Sequence, residues 1–248
     1  MTASTPASRS RRRARTRAAV QLVAIVATVL AASLLAFAAS PLVAERAPLA
    51  AAAERVTVTE SAEGVVLTGA VPGDAGLVFF AGARVDPAAY AATLHEVAAS
   101  GVTVVIARPV LNFAILEARP LSTWQRLAPG VTRWAVGGHS LGGVRACMYA
   151  ESEEVSALVL FGSYCASDLA DSGLPVLSLA GGNDRLSTPE EIADAARLLP
   201  ASTRFVTIPG AGHAQFGAYG TQPGDGPHEA DEAEVRAAIT EAVLALLG

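Results

Sequence analysis

Gly138-His139-Ser140-Leu141-Gly142 is the stretch that decides how this 248-residue sequence folds. Before it, Thr132-Arg133-Trp134-Ala135-Val136 is a run of strand length that ends in Gly137. After it, Gly143-Val144-Arg145-Ala146-Cys147-Met148-Tyr149-Ala150 reads as a helix. Strand, sharp glycine turn and helix form the context in which a G-x-S-x-G pentapeptide exposes its serine. The glycines keep side-chain bulk out of the turn. The unpaired N–H groups at the start of the helix can face a developing oxyanion. Ser140 is the candidate nucleophile.

An acid and a base follow in the expected chain order. Pro175-Val176-Leu177-Ser178-Leu179-Ala180 is a buried-strand pattern that runs into Gly181-Gly182-Asn183-Asp184. Thr203-Arg204-Phe205-Val206-Thr207-Ile208 is another, and it runs into Pro209-Gly210-Ala211-Gly212-His213. Both candidates fall in loops at the carboxyl ends of strands, where α/β sheets carry their sites. In this constellation His213 takes the Ser140 proton and Asp184 orients the imidazole. Asp168 and Asp171 are fallback acids, since a glycine-flanked aspartate such as Asp184 can be a turn former. Four histidines limit the rivals for the base. His95 is expected on a helix surface, the side chain of His139 should point away from Ser140, and His228 is the runner-up base.

These residues resemble the α/β-hydrolase superfamily over roughly Val56 to Leu247, with the Ser140 turn and the Asp184 and His213 loops as the specific parts. Leu77-Val78-Phe79-Phe80-Ala81-Gly82-Ala83-Arg84 looks like the strand and loop that supply the second oxyanion donor, with Ala81-Gly82 in place of the usual His-Gly. By position, the backbone N–H groups of Ala83 and Leu141 would form the hole. Val85-Asp86-Pro87-Ala88-Ala89-Tyr90 and His213-Ala214-Gln215-Phe216-Gly217 look similar to a small lidless bacterial branch, dienelactone-hydrolase-like or esterase-like. The resemblance implies a serine hydrolase that needs no cofactor or metal.

Composition agrees with an enzyme of this class. The chain is 52% hydrophobic and 5% aromatic, so it packs on Ala, Val and Leu. All 18 basic residues are arginine, which excludes Schiff-base lysine chemistry and a Walker P-loop. No G-x-G-x-x-G follows the first strand, and no Cys/His cluster has zinc spacing. At the amino terminus, residues 1–17 carry Arg9, Arg11, Arg12, Arg13, Arg15 and Arg17, ahead of a charge-free run from Ala18 to Ala44. Residues 18–39 could span a bilayer as a helix of about 33 Å. The alternative is a cleaved secretory signal, with Ala36-Phe37-Ala38 as an A-x-A site. Either one puts the domain outside the cytoplasm. Without the six arginines, 12 Arg face 23 acidic residues, a formal −11, so nucleic acid is not an expected partner.

Residues 40–55, alanine-rich with Pro48, are expected as a linker and residues 56–248 as the domain. Val56–Thr59 and Val65–Thr68 should pair as an antiparallel hairpin. Strand and helix then alternate: Leu77–Ala81, Pro87–Ala99, Val102–Ala107, a helical stretch within Ala118–Leu127, Thr132–Val136, the helix after Ser140, Ala157–Phe161, Pro175–Ala180, Pro189–Leu199, Thr203–Ile208 and Glu229–Leu247. The expected fold class is α/β: a mostly parallel eight-stranded sheet with helices on both faces. About a dozen residues, Gly162 to Leu174, join two of the strands, too few for a lid domain. The crevice should then be open, closed only by the loops Val110–Arg119 and His213–Gly226. The substrate expected is a small-molecule or envelope ester, met at the membrane through the amino-terminal helix. Acyl transfer by the same residues and a non-catalytic exported binding module are the alternatives. Cys147 and Cys165 are either bridged or two buried thiols. Every candidate residue lies beyond Ala81, so a chain beginning near Glu54 is expected to carry the complete site.

Overall fold

The computed structural model describes residues 6–38 and 40–248. The chain divides into two compact units, Met1–Ser40 and Pro41–Gly248. The first holds one helix, α1 (Pro6–Ala38). The expected membrane segment coincides with much of α1, and Ala39 lies outside the described residues. Among the described residues no helix is long and apolar enough to cross a membrane, so the expected anchor gains no support here.

The second unit begins earlier than the sequence suggests. The expected linker contains a two-turn helix, α2 (Arg46–Ala53), with Ala52 fully buried. Alanine is the strongest helix former, and Pro48 sits in the first turn, where its missing N–H is tolerated. Just before α2, the Leu42 N–H donates to Arg84 C=O at 2.7 Å and Leu42 C=O accepts from Asp86 N–H at 2.9 Å. The Glu45 N–H donates to Ala218 C=O at 2.8 Å. This segment is stitched to two loops of the domain and is part of it.

The hairpin forms as expected from β1 (Thr57–Glu60) and β2 (Gly64–Thr68). There follow β3 (Ala75–Phe80), a 3-10 turn at Pro87–Tyr90, α3 (Ala91–Ala99), β4 (Thr103–Ala107), α4 (Ser122–Gln125), β5 (Arg133–His139) and α5 (Leu141–Ser152). The chain continues through β6 (Leu158–Phe161), β7 (Val176–Gly181), α6 (Pro189–Ala195), β8 (Arg204–Ile208) and α7 (Glu232–Leu247). The strands make one sheet in the order β1-β2-β4-β3-β5-β6-β7-β8, parallel from β4 to β8 and antiparallel at β1 and β2. Helix α7 starts three residues later than the pattern suggests, because the Asp231 carboxylate accepts the Ala233 N–H and caps it there.

Burial explains the continuous apolar strands. Leu77 and Phe79 of β3 face α3 and α7, while Val78 and Phe80 face Trp124 and Tyr149 of α4 and α5. Both faces are covered, so the strand carries no polar position. The Phe80 ring meets Trp124 edge-on at 5.0 Å. The β6–β7 connection carries no helix or strand, which leaves no lid there.

A chain beginning at Pro41 should unfold at a higher temperature than one beginning at Glu54. Losing the α2 contacts and the three backbone bonds should cost about 1–2 kcal/mol, roughly 2–8 °C for a domain of this size. Calorimetry on the two chains measures it, and equal melting temperatures would show that residues 41–53 hold nothing in place.

Candidate active site

Strand β5 ends at His139 and α5 begins at Leu141, so Ser140 makes the turn alone, with φ 52° and ψ −125°. A residue with a Cβ holds such a conformation only where its surroundings impose it. Here they do. A Cβ on Gly138 would collide with the Gly142 backbone, and one on Gly142 with the carbonyls of Phe80 and Ala81. Neither position tolerates a side chain, so the turn closes against the end of β3. The Ser140 N–H donates to Phe161 C=O at 3.0 Å, and Ser163 Oγ donates to Ser140 C=O at 2.7 Å. A disulfide joins Cys147 of α5 to Cys165, two residues beyond Ser163, with a Cα separation of 5.5 Å. Of the two states the sequence leaves open for these cysteines, the structure takes the bridged one.

The loops after β7 and β8 bring Asp184 and His213 together. His213 Nδ1–H donates to Asp184 Oδ2 at 2.7 Å, and both residues are buried. Asp184 Oδ1 accepts the N–H groups of Leu186 and Ser187, each at 2.8 Å. A carboxylate held by three donors cannot rotate, and a proton committed at Nδ1 leaves Nε2 as the basic nitrogen. The fallback acids Asp168 and Asp171 are exposed, and Asp168 only caps its own turn at the Ala170 N–H. His228 is engaged by Asp225 at 3.1 Å. His95 differs from its expected helix-surface position. It is buried and donates from Nδ1 to Ala92 C=O at 2.8 Å, on a helix packed by both α2 and α7.

The approach of Gly142 to Phe80 and Ala81 sets the first turn of α5 beside the strand end leading to Ala83. Neither the Ala83 nor the Leu141 N–H donates to a partner among the described residues. The Gly82 N–H is already used, donating to Tyr90 Oη at 3.0 Å. That hydroxyl in turn donates to His139 Nδ1 at 2.8 Å. Burial pushes the Tyr90 phenol far above its usual range. His139 is fully buried and its ring packs on that of His213, with centroids 4.3 Å apart. Burial first, and the neighbouring His213 second, hold His139 well below the ordinary histidine range, so it stays neutral.

Three participants escaped the sequence reading. His139 and Tyr90 link the strand end at Gly82 to the ring of His213, and only their separation of 49 residues in sequence hides this. Asp225 receives the backbone N–H groups of His213 and Ala214, each at 2.8 Å, and of Gly226 at 2.7 Å. In sequence it is an aspartate between two glycines, which reads as a turn.

A sequence profile described as "Alpha/beta hydrolase family" matches residues 76–236. No curated protein matches the chain. Among solved structures the chain is similar to TT1662 from Thermus thermophilus, at 16% identity and a TM-score of 0.54, covering 77% of this chain and 98% of that one. It is similar to Est1E from Butyrivibrio proteoclasticus at 15% identity and a TM-score of 0.51, with 77% and 98% covered. It is also similar to a thermophilic esterase, Est2, from the Planctomycetes species Thermogutta terrifontis, at 17% identity and a TM-score of 0.51, with 77% and 90% covered.

A neutral buried His139 makes stability depend on pH. Its folded pKa lies below the unfolded value of 6.5, so beneath that pH the unfolded chain takes up a proton that the folded one refuses. Its stabilising contribution is complete above pH 6.5 and is lost on acidification, at up to about 1.4 kcal/mol per pH unit. Urea melts between pH 7 and 5 should therefore fall more steeply for the wild type than for His139→Phe. Parallel profiles would show that His139 is not held neutral.

Proposed function

The chain belongs to the alpha/beta hydrolase family, and on that premise we propose that it is a serine hydrolase of carboxylic esters. Ser140 Oγ attacks the acyl carbon while His213 Nε2 takes its proton. The charge that develops on the ester oxygen is met by the Ala83 and Leu141 N–H groups. His213 then returns the proton to the leaving alcohol, and water, activated by the same nitrogen, releases the acyl group from Ser140. Asp184 keeps the imidazole in the productive tautomer and stabilises it once charged. No cofactor enters this sequence of steps.

The observation that carries the reading is the 2.7 Å bond between buried His213 and Asp184, in loops of the same sheet edge as the strained Ser140 turn. A histidine and carboxylate buried together at a sheet rim, beside a serine forced to positive φ, serve no packing purpose that apolar residues would not serve better. The loop after β4 adds a hint about the ester. Val110, Leu111, Ile115 and Leu116 are exposed there, and Asn112 C=O accepts the Arg84 N–H at 2.7 Å, next to Ala83. An ester with an apolar acyl or alcohol part suits that border. An exported location belongs to the same proposal. The Cys147–Cys165 bridge suits an oxidising compartment, and the amino-terminal segment, as anchor or cleaved signal, would deliver the domain there.

A fluorophosphonate probe should label the wild type and not Ser140→Ala. With a soluble short-chain ester, Ser140→Ala and His213→Ala should each lower kcat by about 10⁴–10⁶, and the double variant should be little worse than either. Asp184→Asn should cost about 10⁴ or less. Undiminished labelling of Ser140→Ala would remove the serine mechanism.

A further inference from the structure

We infer that Asp225 is a positioning residue for His213, and that residues 222–230 form a clasp locking the base loop to the acid loop. The inference rests on the reading of His213 as the base. It assigns a role to Asp225 and to His228, neither of which takes part in the chemistry above.

The Asp225 carboxylate is almost completely buried, with only 3% of its side chain exposed. Oδ1 accepts the His213 N–H at 2.8 Å and the Gly226 N–H at 2.7 Å. Oδ2 accepts the Ala214 N–H at 2.8 Å and His228 Nε2–H at 3.1 Å. Burial opposes the charge, but the N–H groups of Ala214 and His213, the His228 ring and the Gly226 N–H outweigh it and keep the carboxyl below its usual range. The peptide groups on either side of the His213 Cα are thereby fixed to one anion. An imidazole fastened at Nδ1 alone could still swing with its backbone. Fastened at both ends, it has one place to stand.

The same segment grips the acid loop. Asn183, next to Asp184, donates from Nδ2 to Pro227 C=O at 3.0 Å, and Gly226 passes so close to Asn183 C=O that a Cβ there would collide with it. Gly210 C=O accepts the Glu229 and Ala230 N–H groups at 2.9 and 3.1 Å, and Gln215 Nε2 donates to Ala230 C=O at 2.9 Å. Tyr219 Oη donates to Gln222 at 3.2 Å. Asp184 and His213 are 29 residues apart in sequence, and a single strap running past both fixes their separation.

Asp225→Asn tests this. The amide is isosteric, but one of its two ends becomes a donor facing N–H groups that need an acceptor. On a soluble short-chain ester, turnover per active site, counted by burst titration, should fall about tenfold to a hundredfold. KM should stay within about twofold, because substrate contacts are unchanged. The titrated fraction of competent sites and the near-UV circular dichroism should match the wild type. Turnover per site within about twofold of wild type, or a loss confined to the titrated fraction, would overturn the inference and leave Asp225 a structural residue only. If Asp225→Asn does not fold, Asp225→Glu, which keeps the charge but displaces it by a methylene, is read in the same way. His213→Ala separates this inference from the one beneath it. An inactive His213→Ala beside a fully active Asp225→Asn removes the clasp alone, whereas an active His213→Ala removes the base assignment and the clasp with it.

Discussion

The backbone of the Gly138–Gly142 turn runs against the carboxyl end of β3 with no room for a Cβ at either glycine. The candidate site depends on that contact. It forces Ser140 to carry the only positive φ in the turn, and it brings the start of α5 beside the Ala81–Ala83 backbone. It also sets the order of the central strands. β3 and β5 must be neighbours for the turn to reach β3, and they pair in parallel with Phe80 opposite Gly138. One crossing without side chains thus couples sheet order, nucleophile geometry and the position of the free N–H groups.

Around this crossing the domain adds ties rather than covers. The β6–β7 connection is short, and it contributes Ser163 and Cys165, both of which fasten the turn and its helix. Residues 41–45 bind the Arg84–Asp86 turn on one side and Ala218 on the other. Residues 222–230 join the acid and base loops. Apart from the disulfide, these ties reach backbone, so they constrain where a side chain starts. The candidate site is then held by tied loops, and the β6–β7 connection adds no helix or strand over it.

Much of this was legible in the sequence for a physical reason. Strands buried on both faces are apolar almost throughout, so Leu77–Phe80, Leu158–Phe161 and Val176–Ala180, with Ser178 as its one polar residue, announce themselves. The loops that follow them announce themselves by glycine. Asp184 and His213 were readable because the α/β pattern fixes which loops meet. Residues whose partners come from elsewhere were not. Arg46–Ala53 reads as a linker because alanine marks neither a core nor a turn, and its burial comes from packing on α3. Asp225 reads as a turn former, because accepting distant backbone N–H groups leaves no periodic trace. His95 shows the same limit: its helix is packed by α2 from before it in the chain and by α7 from over a hundred residues after it.

The strain at Ser140 has a definable counterweight. A non-glycine residue in a sparsely populated region is destabilised by about 1–3 kcal/mol. The Cys147–Cys165 bridge closes a loop of 18 residues, and a loop of that length constrains the unfolded chain by about 3 kcal/mol. The two terms are of similar size, and they act on the same element, since the bridge anchors α5 directly behind the turn. Ser163 adds a hydrogen bond to the strained residue's own carbonyl. A strained turn relaxes by letting its helix rotate or withdraw from the strand end. With α5 tied at Cys147 to the β6 loop, and that loop tied at Ser163 to Ser140, rotation would have to break one tie or the other. The conformation that exposes the serine is therefore the one left to the turn.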